Sequence, residues 1–279
     1  FCGKTFPEAV EYLLTFNGRA RDSPAKAVPS VKRDEVQKPF TLPPRNTDDR
    51  RVFAYLHKRG IAPQVIRQFL NSGLLYEDAE HHNCVFVGKN SAGQVKYAGL
   101  RGTYDQEGKG FRGDVTGSDK RVGFALPYDR SSDQVLVFEA PIDLMSHASI
   151  AADFYGRDWM QDHRISTGCL WNGAIDRYLE GHPQIKRLVF AVDNDYLARD
   201  KNGQLRNWGQ LTAAKWMKAY TEKGYACAVH VPHLNDFNTD LVEMRKGRSV
   251  EDLDRQRMAE LETAFEQSAE EEPEQGMEV

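Results

Sequence analysis

The sequence lacks the simple marks of secretion, membrane insertion and disulfide cross-linking. No run of apolar residues is long enough to span a membrane, and no charged N-terminal segment leads into an apolar stretch. Cysteine is scarce. Cys2, Cys84, Cys169 and Cys227 are scattered with no C-x-x-C pair, which argues against a disulfide framework or a complete zinc site and for a reducing cytoplasm. Histidine lacks ligand spacing: among His57, His81, His82, His147, His163, His182, His230 and His233 only His81-His82 are adjacent, and they read as loop. Basic residues are absent from Glu260 to the end, where eight glutamates stand. Removing those eight charges turns the formal −4 into +4, so the body is mildly basic, able to bind a polyanion without demanding one. An ordinary soluble protein with a solvated tail fits the same balance. The tail from Glu260 to Val279 is expected to add nothing to the core, to shield the body from polyanions, and to be disordered from Glu270.

What is present is enough apolar residue, 40% of 279, for one large domain or two modest ones. The chain opens on Phe1 rather than Met and reads as a piece of something longer. Phe6, Val10, Leu13 and Leu14 have helical spacing behind Pro7. Residues 19–47 then form a linker, with Pro24, Pro29, Pro39, Pro43 and Pro44 among charged and polar residues. Order resumes at Asp48, a candidate cap for a helix that stops at Gly60, and Pro63 opens a second helix that ends at Gly73. The runs 84–87 and 95–101 predict a hairpin around Lys89–Gly93, and residues 102–123 read as glycine-rich loops.

From Val135 strands and helices alternate. Strands are predicted at 135–138, 164–167, 187–192 and 226–231, with helices at 142–154, 174–179 and 208–223 and a polar helical stretch after Asp236. Repeated β-α units imply an α/β fold with a mainly parallel sheet and helices on its faces, behind a smaller α+β region. Ligands of such sheets bind at the carboxyl ends of the strands. There the first strand meets Glu139, the third Asp193 and Asp195, and the fourth Asp236, while Asp143 stands one helical turn beyond Glu139. Converging carboxylates resist ionising together unless a cation neutralises them, and hard oxygen ligands suit Mg²⁺ or Mn²⁺. A lone acid at a strand end is usually a solvated loop residue or a cap; acids at three strand ends are less easily explained so.

The segment Val137-Phe138-Glu139-Ala140-Pro141-Ile142-Asp143-Leu144-Met145 resembles the glutamate motif of Toprim domains, and Val189-Phe190-Ala191-Val192-Asp193-Asn194-Asp195 resembles their Asp-x-Asp motif. Asn235-Asp236-Phe237-Asn238-Thr239-Asp240-Leu241 is similar to the third acidic motif of DnaG-type bacterial primases. Upstream, Tyr55-Leu56-His57-Lys58-Arg59-Gly60-Ile61 with Val65-Ile66-Arg67-Gln68-Phe69 and Gly73-Leu74 resembles the opening of the primase core. Val85–Val87, Gly93 and Tyr97–Arg101 resemble its following segment. The whole is most similar to mobile-element proteins that join this region to a Toprim domain. Asn238 stands where those primases have Asp, and Ala140 where they have Gly, so a second metal position has lost a carboxylate.

The resemblance implies a Toprim-type, Rossmann-like domain over residues 131–245, a primase-like α+β subdomain over 48–130, and a helical then acidic tail over 246–279. Residues 1–18 look like the closing helix of an upstream zinc-binding module. Glu139, Asp193 and Asp195 are then the catalytic residues, and Glu139, Asp143, Asp193, Asp195 and Asp236 the ligands of Mg²⁺ or Mn²⁺. Arg101, Lys109, Arg112 and Lys120 would contact phosphates, or be solvated surface charge. Phe111 would stack a base, or pack. The implied partners are single-stranded DNA, nucleoside triphosphates, and a helicase or conjugation and replication proteins, with no membrane. The expected function is a Mg²⁺-dependent primase-like nucleotidyltransferase in replication or transfer of a mobile element. Two alternatives stand: a Toprim nuclease or topoisomerase that cleaves phosphodiesters, and a non-catalytic nucleic-acid-binding recruitment protein.

Overall fold

The computed structural model describes residues 39–104, 110–126 and 131–270. The chain divides into two compact units, Phe1–Pro39 and Phe40–Val279, and the fold below is that of the second. The expected N-terminal helix, the linker up to residue 38, Lys109 and residues 271–279 lie outside the described residues.

Asp49, not the expected Asp48, stands at the N-cap of helix α1 (Arg50–Lys58), without a capping bond from its side chain; Asp48, one residue further out, accepts the amide of Arg50 at 3.0 Å. The helix stops before Gly60, whose φ of +85° is open to glycine at little strain. Pro63 opens helix α2 (Pro63–Asn71), where its missing N–H costs nothing. Val52, Leu56, Val65, Ile66 and Phe69 turn inward from these two helices. An antiparallel sheet follows in the order β1 (Leu75–Glu77), β2 (Cys84–Lys89), β3 (Val95–Arg101) and β4 (Arg112–Asp114). The β2–β3 hairpin turns through Asn90, whose side-chain oxygen accepts the amides of Ala92 at 3.1 Å and Gln94 at 2.9 Å. Strand β4 lies inside the stretch expected to be loops. Its three residues are exposed, so no apolar alternation marks them, and pairing with β3 orders them.

The second sheet has the order β5 (Phe124–Leu126), β7 (His163–Ser166), β6 (Gln134–Phe138), β8 (Arg187–Phe190) and β9 (Ala226–Val229). Strands β7, β6, β8 and β9 are parallel, and β5 closes the edge antiparallel to β7. The fold is therefore α/β with a mainly parallel sheet, as the β-α alternation predicts. Strand periodicity divides β6 between two cores. Leu136 and Phe138 face α3 (Pro141–Asp153), α6 (Phe237–Arg245) and the first two helices. Val135 and Val137 face α4 (Gly173–Gly181) and α5 (Trp208–Glu222), so helices cover both faces.

The two sheets share the first core. Phe124 of β5 stacks on Phe69 with ring centres 5.0 Å apart and meets Phe86 of β2 edge-on at 5.3 Å. The approach is close at Gly88, where a Cβ would stand 2.7 Å from the Gly123 carbonyl oxygen.

The last helix, α7 (Val250–Glu270), corrects the expectation that nothing beyond Glu260 joins the core. Leu253 and Ala264 are both buried, and their spacing is about three helical turns, which puts them on one face. Among the described residues, no helix is long and apolar enough to cross a membrane.

Phe138 is fully buried at the end of β6, edge-on to Phe237 at 5.8 Å and beside the His147 ring at 5.2 Å. Phe138→Ala is expected to cost about 3–5 kcal/mol in urea unfolding. A loss below about 1 kcal/mol would mean that this core does not hold the sheet.

Candidate active site

The acids gather at the carboxyl end of the parallel strands because the strands deliver them there. Glu139 follows β6 directly, and its carbonyl accepts the Gly168 amide at 2.9 Å, which continues the β6–β7 pairing. Asp193 and Asp195 lie on the segment after β8. Asn194 between them is buried and ties that segment to the one after β9. Its amide donates to the Asn235 carbonyl at 2.7 Å, and its side chain donates to the Pro232 carbonyl at 2.9 Å. Asp236 caps α6 by accepting the Thr239 amide at 2.6 Å. Asp143 is buried on the first turn of α3 and accepts the Asn238 amide at 3.2 Å.

Helix α5 also starts at this site. The Gly209 amide donates to Asp195 Oδ2 at 3.1 Å, and Gln210 donates to the Asp193 carbonyl at 3.0 Å. A Cβ on Gly209 would collide with that carbonyl, so only glycine lets the helix end come so close.

The five acids act on one another electrostatically. Burial, and then the Asp195 charge, push Glu139 up to about 7. Burial pushes Asp143 well above the usual carboxylate range, with Asp236 adding to the shift and the Asn238 amide and the Arg59 charge opposing it. Asp193 is raised the same way, by burial first and then by Asp143, Glu139, Asp236 and Asp195. Its Oδ1 is buried without a hydrogen-bond donor, an acceptor with nothing to neutralise it.

That arrangement fits a hard divalent cation. The donors are carboxylates, with no thiol among them, and the orphaned Asp193 oxygen asks for positive charge. Among the described residues no three His, Cys, Asp or Glu side chains converge as a ready metal cage. Mg²⁺ does not need one, since it keeps several waters and takes one or two carboxylates together with substrate phosphates.

Cations stand on the layer upstream of the parallel sheet. Arg59 donates from Nη1 to the Tyr55 hydroxyl at 3.1 Å, and Arg101 donates from Nε to the same oxygen at 3.1 Å. Arg101 sits opposite Arg112 across β3 and β4. Lys120 is paired with Asp114 at 3.0 Å on an exposed surface. The Cys169 thiol, raised mainly by burial, feels both Lys120 and Glu139, so this pair borders the acids. Phe111 is 55% exposed, its ring against Gly113. Lys109 lies outside the described residues.

Two residues that reasoning from sequence passed over as site residues are central here. Arg59 donates from Nε to Asn238 Oδ1 at 2.9 Å, and the Asn238 side-chain nitrogen donates to the Arg59 carbonyl at 2.9 Å and to Ser146 Oγ at 3.0 Å. Asn238 is therefore an amide for a reason: a carboxylate could accept from Arg59 but could not donate to the carbonyl. The Arg59-Gly60 dipeptide and the odd Asn were both visible in the sequence, but their meeting across 179 residues was not.

Comparison with known proteins adds the following. The model of a family described as a protein of unknown function (DUF3991) matches residues 54–131. No curated protein matches the sequence. Among solved structures, the chain is similar to the primase fragment of the bacteriophage T7 primase-helicase protein, with a TM-score of 0.47 and 12% identity over 74% of this chain and 77% of that one. It is also similar to the Aquifex aeolicus primase (zinc-binding and RNA polymerase domains), with a TM-score of 0.47 and 16% identity over 74% of this chain and 55% of that one. The E. coli primase catalytic core gives a TM-score of 0.42 and 15% identity over 70% of this chain and 69% of that one. The chain thus spans about half of the Aquifex structure.

Two outcomes test this electrostatic account. A carboxyl whose folded pKa lies above its unfolded value stabilises the fold at low pH and loses that contribution as pH rises toward the folded value. Glu139, Asp143 and Asp193 all act in this sense. His147 and His230, pushed down by burial, act oppositely, but only below about 6.5. The unfolding temperature of the metal-free protein should therefore fall between about pH 6.5 and pH 8, and Asp193→Asn should flatten the fall; a rising wild-type profile contradicts it. Separately, Asn238→Asp should lose about 1–3 kcal/mol in urea unfolding, because it sets a carboxylate against the Arg59 carbonyl and beside Asp143. Unchanged stability would show that the amide network is incidental.

Proposed function

We propose that the chain is a Toprim-type, primase-like nucleotidyltransferase core that joins nucleotides on a single-stranded DNA template with Mg²⁺ or Mn²⁺. The observation that carries this reading is the gathering of Glu139, Asp143, Asp193, Asp195 and Asp236 at the carboxyl end of the parallel sheet, with Asp193 Oδ1 buried and unneutralised. The cations of the upstream sheet supply the complementary half. The likeness of the acidic segments to Toprim and primase motifs gives the reaction class.

Asp193 and Asp195 would hold the metal, with Asp143 and Asp236 beside them. The bound ion would neutralise charge that develops on the transferring phosphoryl group. Glu139, raised to about 7, suits a proton acceptor for the attacking hydroxyl at neutral pH. Arg101, Arg112 and Lys120 would hold template or triphosphate oxygens, and Lys109 belongs to the same expected set. Arg59 would take a phosphate oxygen only if it kept its bond to Asn238, since the guanidinium has donors to spare. The division at residue 131 into a primase-like subdomain and a Toprim domain belongs to this reading. So do a place in the replication or transfer of a mobile element in the cytoplasm, and helicase or conjugation partners.

The test pairs Mg²⁺ calorimetry with primer synthesis on single-stranded templates. Wild type should bind Mg²⁺ and join nucleotides. Asp193→Asn with Asp195→Asn should lower synthesis by a factor on the order of 10³ or more while leaving the protein folded and DNA bound, because phosphate contacts lie elsewhere. Metal binding with strand cleavage in place of synthesis would favour a nuclease, and no metal binding would leave a non-catalytic binding protein.

A further inference from the structure

The sequence contains four tryptophans, and the fold treats them as two pairs. Trp159 and Trp216 are buried, as is usual for a side chain that removes so much apolar surface from water. Trp171 and Trp208 are each 44% exposed. Both stand at the carboxyl end of the parallel strands. Trp171 lies on the segment between β7 and α4, two residues after Cys169, whose thiol feels Glu139 and Lys120. Trp208 is the first residue of α5, next to the Gly209 amide that donates to Asp195. In the order β7-β6-β8 the strand that delivers Glu139 runs between the strands that precede these rings. The outer two of three neighbouring strands lie roughly 10 Å apart.

Neither ring is left loose. Trp171 lies against the backbone of Gly173, where any Cβ would collide with the indole, and its amide donates to the Cys169 carbonyl at 2.8 Å. The Arg206 guanidinium covers Trp208 with its carbon 4.4 Å from the ring centre. A ring held in place and still exposed loses little entropy when a flat partner stacks on it.

We propose that Trp171 and Trp208 are base-stacking platforms flanking the acidic site, and that they take nucleobases of a strand or nucleotide whose phosphates reach the carboxylate cluster. The proposal rests on the nucleotidyltransferase reading for its ligand class and deepens it by naming what holds the bases. Stacking tolerates any base, because every base has a π-face, so these platforms add affinity without sequence preference.

The test uses the full chain and two probes, oligo(dT) and dTTP with Mg²⁺. Tryptophan fluorescence of the wild type should be quenched by a probe that stacks, with Trp159 and Trp216 as the buried, unquenched remainder. Trp171→Ala and Trp208→Ala should each weaken binding of that probe roughly tenfold, the order expected for one stacked base. Trp171→Phe and Trp208→Phe should restore most of the affinity. Rescue by Phe separates stacking from a merely structural role, and melting curves confirm that each variant folds. A loss confined to oligo(dT) assigns the bases to the strand, and a loss confined to dTTP assigns them to the nucleotide; either supports the proposal. Unquenched wild-type fluorescence with both probes, or Ala variants that bind both as wild type does, overturns it. Quenching in a wild type that makes no primer leaves the platforms standing and counts only against nucleotidyl transfer, whereas quenching by oligo(dT) that persists in Asp193→Asn with Asp195→Asn is the expected result and supports the platforms, because the strand is held apart from those two acids.

Discussion

Like charges buried together at one end of a sheet are the constraint on which the rest of this structure depends. Carboxylates in a low-dielectric crevice repel strongly, and the chain answers with backbone amides. Asp143 accepts from Asn238, Asp236 from Thr239, and Asp195 from Gly209. Asp240, one turn further along α6, accepts from His233 and Leu234. All but the last two amides belong to the first turns of α5 and α6, where N–H groups lack helical partners and the helix dipole favours negative charge. Asp193 Oδ1 is buried and receives no such bond. Backbone amides thus reach Asp143, Asp195, Asp236 and Asp240 but not this oxygen, whose burial suits a positive charge beside it.

This arrangement makes the upstream layer part of the site rather than an attachment to it. Arg59 follows α1, yet its Nε and carbonyl both bond the Asn238 side chain on α6. Its charge also offsets the burial of Asp143. Ser149 on α3 accepts the Ala62 amide at 2.9 Å just before α2 begins. The phenylalanines at positions 69, 86 and 124 then join both sheets in one core. Moving the first sheet would therefore disturb the acids directly.

Much of this was legible in sequence where apolar pattern or a special residue marked it. Gly60, Pro63, Gly73 and Gly224 punctuate the helices, and the runs at 135–138 and 187–190 are buried strands with acids after them. The strand read to Val192 ends at Phe190, because Ala191 continues only one bond, to the Val137 carbonyl. Strands β1, β4 and β5 were not individually legible. Each has three residues, too few for alternation to show, and β4 is ordered by pairing with its neighbour. The Arg59–Asn238 bond was hidden for another reason: a single polar pair distant in sequence leaves no periodic trace. Arg101, Arg112 and Lys120 stand out in the sequence by charge and position, and the structure ties Arg101 through the Tyr55 hydroxyl to Arg59.

The C-terminal helix shows how composition misleads when read without partners. Its glutamates look like a solvated tail, but α7 reaches back to the segment that carries Asp195. Glu260 bonds the Tyr196 hydroxyl, and the Ala264 carbonyl accepts from Arg199 at 3.1 Å. From Ala198 to Arg206 the chain forms a narrow hairpin, with the Arg206 amide donating to the Ala198 carbonyl at 2.7 Å and the Asp200 amide to the Gln204 carbonyl at 2.8 Å. Gly203 turns it at a φ of +78°. The helix thus braces the hairpin that runs from Asp195 to Trp208, and its acid at 260 is engaged there. Within the acidic run, Glu260 thus supports the loop that carries Asp195 from outside, and shielding of the basic body would fall to the glutamates further along.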